Sequence, residues 1–490
     1  MTHRLVAAAV LLSLPNAAAA ATNDQSALIA ELQRQIAAQQ AQIDAQTKAI
    51  AELRGLVVGT SGPAPNAAVA DAVADPVVAA AEPEPAASVT VPVEAAGEPQ
   101  PAVAVSAPTK TPDHVVRVGN ADVMLGGAFT LNTLVSSRRT IGPAGSVFFL
   151  APPDVTGRDN VIDMTAQYSR ISLGIDIPAG DDWTVSARTL FTFFNGSLLN
   201  ASYGFQPLFG YGSASNGRFT FSAGLMFELF SPRQPDVVDS VSALYFSGNP
   251  ANSPRAQLRA EWRAPVASGT QFEAALALSD PISTFISEDL TDRTEDNGIP
   301  NIETRLAVTH APDGWSSLLD RAKWDIGVSA VYGEFRKFYN VSAPFDVRTN
   351  QSRGVSIDAG VSLSPRVALQ GEVWTGQALG NYGAAIGASV NPVTRREIDA
   401  SGGWGEVALA WSDIAHSTFG YGLDRPNRDQ LVPGDKALNE TLWGNIFWRA
   451  APWLQLGLEG TWRRTQYLLP TDVLLTNDGF GMLMTTSFRY

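Results

Sequence analysis

Pro254-Arg255-Ala256-Gln257-Leu258-Arg259-Ala260-Glu261-Trp262-Arg263-Ala264-Pro265 places Arg255, Gln257, Arg259, Glu261 and Arg263 on one parity and Ala256, Leu258, Ala260, Trp262 and Ala264 on the other. Successive side chains of a strand point to opposite faces, so this stretch has one charged face and one greasy one. The same alternation runs through Arg218 to Leu229, where Phe219, Phe221, Leu225, Phe227 and Leu229 share a face. It recurs in Leu454 to Thr465, where Leu454, Leu456, Leu458 and Trp462 oppose Gln455, Glu459 and Arg463. A soluble sandwich would also alternate, with its apolar face inward.

Three features favour a transmembrane barrel over a sandwich. Tight connections (Pro178 to Asp182, Pro265 to Thr270, Ser364-Pro365, Ala450 to Pro452) alternate with long ones such as Asp280 to Pro300 and Gly376 to Arg395. Outer-membrane barrels combine short turns at one end with long loops at the other. Aromatics gather at strand ends, among them Trp183, Trp324, Trp448, Trp453 and the terminal Tyr490, as interfacial girdles require. The chain closes on Met482, Met484, Thr486, Phe488 and Tyr490 on one parity, which looks like the C-terminal signature through which the barrel-assembly machinery engages its substrates.

Composition agrees with a barrel. Charged residues are 17% of the 490, Gly numbers 42, and mean hydropathy is +0.00, yet no run of about 20 apolar residues follows the N-terminus to make a spanning helix. Lys plus Arg is 34 against 48 acids, a net charge of −14, which excludes an electrostatic footprint for nucleic acid. Cys is absent, so there is no thiolate nucleophile and no Cys-ligated zinc.

The N-terminal quarter reads as three segments. Arg4, the apolar stretch Leu5 to Leu14 and the alanines Ala17 to Ala21 predict a secretory signal peptide over 1–21, cut after Ala21. Ile29, Ile36, Ile43 and Ile50 recur every seven residues with Leu32, Gln39, Gln46 and Leu53 three residues after each, an a/d seam over about four heptads. This predicts a periplasmic coiled-coil stalk over 22–58. Ile at a with Leu at d favours two strands and the Gln layers blur that preference, so the heptads alone leave the order of assembly open. Residues 59–112, mostly Ala, Val, Pro and Glu, cannot bury a core and read as an extended linker.

Residues 113–490 then predict an all-β transmembrane antiparallel barrel of about sixteen strands, with segments near 121–137, 160–177, 183–195, 198–206, 218–229, 254–264, 271–279, 301–310, 323–336, 352–363, 366–376, 396–411, 417–424, 438–449, 453–466 and 479–490. A barrel of that size leaves an aqueous channel. The polar parity assigns to its wall Arg170, Arg188, Arg218, Arg255, Arg259, Arg263 and Arg305, facing Glu273, Glu303, Asp325, Asp358, Glu372 and Glu459 from later strands. A basic wall opposite an acidic one orients charged solutes, and arginine rings favour anions. The stretch Phe230 to Ser253 is long enough to fold inward as a constriction, and a change of apolar parity at Trp404 to Val407 suggests a bulge.

Catalysis is not expected. Of the four His, His3 is in the signal segment, His114 in the linker region, His310 at a strand end and His416 in a turn, none with metal-ligand spacing and none paired with a nucleophile. No cofactor and no metal site are expected, and Asp289, Asp292, Glu295 and Asp296 lack calcium-loop spacing.

Several stretches resemble a known family. The coiled coil after a signal peptide, the Ala/Pro tether, Leu125-Gly126-Gly127, Tyr168-Ser169-Arg170-Ile171-Ser172-Leu173-Gly174, Gly371-Glu372-Val373-Trp374-Thr375-Gly376-Gln377-Ala378-Leu379-Gly380, Ser401-Gly402-Gly403-Trp404-Gly405 and the terminal aromatic are similar to those of the DcaP-like porins, trimeric outer-membrane channels associated with dicarboxylate uptake. The resemblance covers most of the mature chain. It implies a homotrimer in outer-membrane lipid, a three-stranded periplasmic stalk, passage of small hydrophilic solutes with carboxylates among them, and Arg170 as a pore residue. The competing reading is a structural barrel whose coiled coil anchors to the cell wall.

Overall fold

The computed structural model describes residues 114–490 except 142–148, 153–159, 181, 195–202, 239–243, 251–253, 282–293 and 341–345. The expected signal peptide, the heptad positions from Ile29 to Leu53 and all of the linker lie outside the described residues.

Sixteen strands close a barrel: β1 (Ala121–Ser136), β2 (Arg170–Ala179), β3 (Trp183–Phe194), β4 (Tyr203–Ser215), β5 (Phe219–Phe227), β6 (Pro254–Ala267), β7 (Thr270–Ser279), β8 (Asn301–His310), β9 (Trp324–Asn340), β10 (Asp346–Ser364), β11 (Val367–Gln377), β12 (Asp399–Ala410), β13 (Ala415–Pro426), β14 (Lys436–Ala451), β15 (Leu454–Leu468) and β16 (Leu474–Arg489). Each pairs antiparallel with the next. β16 returns to β1, with Ala128 opposite Arg489 and Ser136 opposite Gly481, so the sheet has no free edge. Three short strands, His114–Val118, Val161–Thr165 and Thr294–Asp296, extend it at the rims.

Period two decides what faces where. On β6 Arg255 is fully buried while its partner in the alternation, Leu258, is 62% exposed. On β10 Ser356 and Asp358 are buried and Ile357 between them is exposed. The outward row continues across neighbouring strands: Leu306, Val328, Ile357 and Val373 are successive cross-strand neighbours on β8 to β11 and all are exposed. An apolar exterior with a polar interior inverts the arrangement of a soluble sheet and matches a barrel in lipid. The tight turns join strands at one end, here the turn end; the longer connections lie at the loop end. Trp324, Trp411, Trp448 and Trp453 are exposed near the turn end, where Trp324 stacks on His310 and Trp453 on Phe488. Trp183 stacks on Phe221 at the same rim, and Tyr490 lies on Phe129.

The fold departs from the sequence reading in several places: the second strand, expected over 160–177, is split into Val161–Thr165 and Arg170–Ala179, and the tenth, expected over 352–363, starts at Asp346. The fourth strand, expected over 198–206, is Tyr203–Ser215. Gly204, Pro207, Gly210 and Gly212 obscure its alternation, and its pairing with β3 shifts register twice, between Leu190 and Phe191 and between Thr192 and Phe194. No bulge occurs at Trp404 to Val407, where β12 stays in register with both neighbours. Trp404 is instead an inward aromatic, packed with Val237, Leu244 and Trp443. His416, expected in a turn, is on β13, facing inward and stacked on Phe447.

Candidate functional site

The lumen holds two inserted segments. The first runs from Glu228 to Pro250 between β5 and β6, with 239–243 undescribed; the second is Ala378–Ile398, between β11 and β12. Phe230 of the first meets Tyr382 of the second edge-on at 5.7 Å, within a buried cluster that includes Val331, Trp374 and Leu379. Inward aromatics in a barrel thus report packing against inserted chain.

An arc of eight strands fastens the first segment. Glu303 on β8 accepts the Leu229 N–H at 2.6 Å, Glu406 on β12 that of Asp236 at 2.9 Å, and Glu459 on β15 that of Val238 at 2.9 Å. Glu372 on β11 accepts the Arg233 N–H at 3.4 Å and the Ser231 hydroxyl. Asp325 on β9 and Asp358 on β10 hold the Arg233 guanidinium, the latter at 3.1 Å. On β13 His416 Nε2 lies 3.1 Å from Asp236 and the Thr418 hydroxyl donates to that carboxylate at 3.3 Å; on β14 the Asn445 amide donates to the Asp236 carbonyl at 2.7 Å. Burial would push the Asp236 carboxyl up, but His416, Arg321 and Thr418 hold it below its ordinary value. A buried chain segment without regular structure must satisfy its main-chain donors, and this acidic arc does so.

Arg255 joins both segments to the wall. Its Nε donates to Glu228 at 2.9 Å, its other nitrogens to the carbonyls of Asp280 at 2.9 Å and Asn381 at 2.5 Å, and its carbon lies 4.1 Å over the Tyr382 ring. Burial drives the Tyr382 phenol well above its ordinary value, so the ring stays neutral beneath the cation. The first segment is further pinned by Trp374, whose indole N–H donates to Gly248 O at 2.9 Å. Gly248 has φ +90°, and a Cβ there would meet the carbonyl oxygens of Gly403 and, at 2.6 Å, Leu423. Gly248→Ala is therefore expected to lower stability by more than about 1 kcal/mol, because the strained φ and the backbone clash add; a thermal melt of the folded barrel equal to wild type would refute this.

The expected wall residues distribute as follows. Arg259 is buried beside Gln257 at 3.0 Å; Arg263 pairs with Glu273 at 2.9 Å and Glu261 at 3.0 Å; Arg305 pairs with Asp358 at 2.6 Å; Arg188 pairs with Asp176 at 2.7 Å. Arg218 is not on the wall: it sits exposed in the turn joining β4 to β5, its guanidinium 5.8 Å from the Phe219 ring. Its parity matches the inward row of β5, but the strand starts one residue later. The picture of a basic wall facing an acidic one across open water is also changed, since Glu303, Asp325, Asp358 and Glu372 face inserted chain. Arg170 is on the inward row of β2, partly exposed, with no ion pair or side-chain hydrogen bond to a described residue. Sequence reasoning placed Glu459 on the inward wall and Arg233 in the stretch that folds inward, without a fastening role for either, and it missed Glu406 and His416. Inward parity was the available signal for Glu406.

No protein-family model and no curated protein matches the chain. Among solved structures it is similar to the outer membrane channel DcaP of Acinetobacter baumannii, at 15% identity and TM-score 0.56, over 76% of this chain and 99% of that one. Another similar structure is OprB of Pseudomonas putida, at 8% identity and TM-score 0.47, over 75% of this chain and 94% of that one. The likeness to the DcaP channel, at TM-score 0.56, is one of fold.

Proposed function

We propose that the protein is an outer-membrane porin through which small hydrophilic solutes diffuse, with anions, dicarboxylates among them, favoured. One observation carries this reading. Glu303, Glu372, Glu406 and Glu459 are engaged in holding the first inserted segment, whereas Arg170 on the opposite wall faces the lumen without a carboxylate partner among the described residues. A passing solute therefore meets a surplus of positive charge, which selects anions. The barrel stands in the membrane with its turn end in the periplasm and functions as a homotrimer, and the heptads from Ile29 to Leu53 make its periplasmic stalk. Insertion by the barrel-assembly machinery through the terminal Tyr490 completes the reading.

Planar-bilayer recordings of the full chain test it. Wild type is expected to show open steps in groups of three and a reversal potential on the anion side across a KCl gradient. Arg170→Ala is expected to reduce that selectivity by about twofold or more while leaving the barrel heat-modifiable, since one unscreened lumen charge is removed. A folded barrel with no conductance would refute the channel and favour the structural, wall-anchoring role.

A further inference from the structure

We propose that the connection between β8 and β9 holds the first inserted segment in place from the turn end, with Arg321 as the positioning residue that acts through Glu406. The proposal rests on the channel reading only where current is the readout.

The other turn-end connections leave two to four residues between one barrel strand and the next, whereas this one runs from Ala311 to Lys323. It is folded against its neighbours. The Leu318 N–H donates to the Pro365 carbonyl of the β10–β11 turn at 2.8 Å, and the Ser362 hydroxyl on β10 donates to the Ala322 carbonyl at 2.7 Å. Within the connection the Trp315 indole N–H donates to the Arg321 carbonyl at 3.0 Å. Lys323 Nζ lies 4.4 Å over the Trp315 ring and donates to the Ser362 carbonyl at 3.0 Å. Asp320 holds φ +54°, in the left-handed region that strains a residue other than glycine, at the step just before Arg321. A connection that only reversed the chain would need neither this length nor these ties.

Arg321 leaves the turn for the lumen. Its Nη2 donates to Glu406 Oε1 at 3.1 Å. Glu406 stands four residues inside the end of β12 at Ala410, about 13 Å along the strand, so the guanidinium has passed the rim. The other contacts of Glu406 belong to the seat of the segment. Its Oε2 accepts the Asp236 N–H at 2.9 Å, and its Oε1 accepts the amide of Gln370, its cross-strand partner, at 2.6 Å. Gln370 in turn donates to the Gln234 carbonyl at 3.2 Å and accepts from the Arg233 guanidinium at 3.1 Å. Arg233, Gln234 and Asp236 are thus all held by the pair that Arg321 braces. Glu303 and Glu372, by contrast, are met by wall and segment groups alone.

Charge decides what Arg321 does there. The Glu406 side chain is fully buried, His416 serves Asp236, and Arg321 is the only cation that Glu406 contacts among the described residues. A buried carboxylate stripped of its cation takes up a proton or turns toward water. In either case Glu406 ceases to present both oxygens in one geometry to Asp236 and Gln370, and the middle of the segment comes loose.

The test uses the full-length protein in detergent and in planar bilayers. Hydrogen–deuterium exchange of the peptide that holds Asp236 is expected to be faster by about tenfold or more in Arg321→Gln, the loss of one charge-assisted hydrogen bond network. Single-channel conductance in KCl is expected to rise in the same variant. Arg321→Lys, shorter but still cationic, is expected to fall between, about twofold or more above wild-type exchange. Lys323→Gln, in the same connection but tied to Trp315 and Ser362, is expected to leave both readouts at wild-type values. In a Glu406→Gln background Arg321→Gln is expected to add less than about twofold to the exchange rate, because the two residues act through one contact.

Wild-type exchange or wild-type conductance in Arg321→Gln, shown folded by heat-modifiable migration, overturns the proposal. So does an undiminished effect of Arg321→Gln in the Glu406→Gln background, which would make the arginine a free lumen charge. Should Arg321→Gln not fold, Arg321→Lys carries the comparison, and wild-type exchange there overturns the proposal equally. Faster exchange in Arg321→Gln when the wild-type barrel passes no current keeps the brace and removes the channel reading; a conducting wild type with exchange unchanged in the variant does the reverse.

Discussion

Arg255→Ala is expected to destabilise the folded barrel by about 3–5 kcal/mol and to raise single-channel conductance. Arg255 is fully buried, and its removal strips a guanidinium from the equally buried Glu228. Breaking one half of a buried ion pair costs on that order because the remaining charge loses its compensation. The Asn381 carbonyl and the Tyr382 ring lose their cation in the same step, so both inserted segments lose a shared tether. Arg263→Ala is the control: its partners Glu261 and Glu273 lie on β6 and β7, so its loss disturbs the wall and leaves the segments seated. Urea unfolding in detergent and bilayer recordings read the two effects. A wild-type unfolding midpoint together with wild-type conductance for Arg255→Ala would show that this arginine does not hold the segments.

Ile357→Arg should cost about 2–4 kcal/mol if its face meets the hydrocarbon midplane, and under about 0.5 kcal/mol if that face meets water. Ile357 is the sharpest position for this test because it stands between the buried Ser356 and Asp358 and beside the outward Val328 and Val373. The measurement is reversible folding into lipid vesicles against urea, with Ile357→Val as the conservative partner. A loss near zero would contradict the lipid-facing assignment of the entire outward row, since the same parity sets all of it.

The barrel itself was legible because its cause is local. A strand with water on one side and lipid on the other must alternate, and Arg255 to Ala264 does so without a break. The approximate limits of most strands followed from that period together with the tight turns. Where glycine and proline removed the contrast, as in Tyr203–Ser215, the limits slipped. The lumen was less legible, because its contacts join residues far apart in the chain. Leu229 finds Glu303 and Val238 finds Glu459, and no pattern in either neighbourhood announces the other. Parity identified Glu303 and Glu372 as inward without revealing that they would meet main chain instead of solute. Arg218 failed for the converse reason: its parity continued the inward row of a strand that had already ended. Trp404 misled because an inward aromatic on a barrel wall makes sense only once the segment it packs against is known.

The glutamate clasps have a consequence for redesign. Glu303, Glu372, Glu406 and Glu459 take hold of peptide N–H groups, which every residue but proline carries. At those N–H groups the clasps read main chain alone, whereas Glu228, Phe230, Ser231, Arg233, Asp236 and Gly248 are held through what their side chains are or lack. Such a barrel offers a partly interchangeable cartridge: a position such as Leu229, clasped at its N–H, is open to exchange by drift or by an engineer, while the barrel that grips the chain is left as it stands.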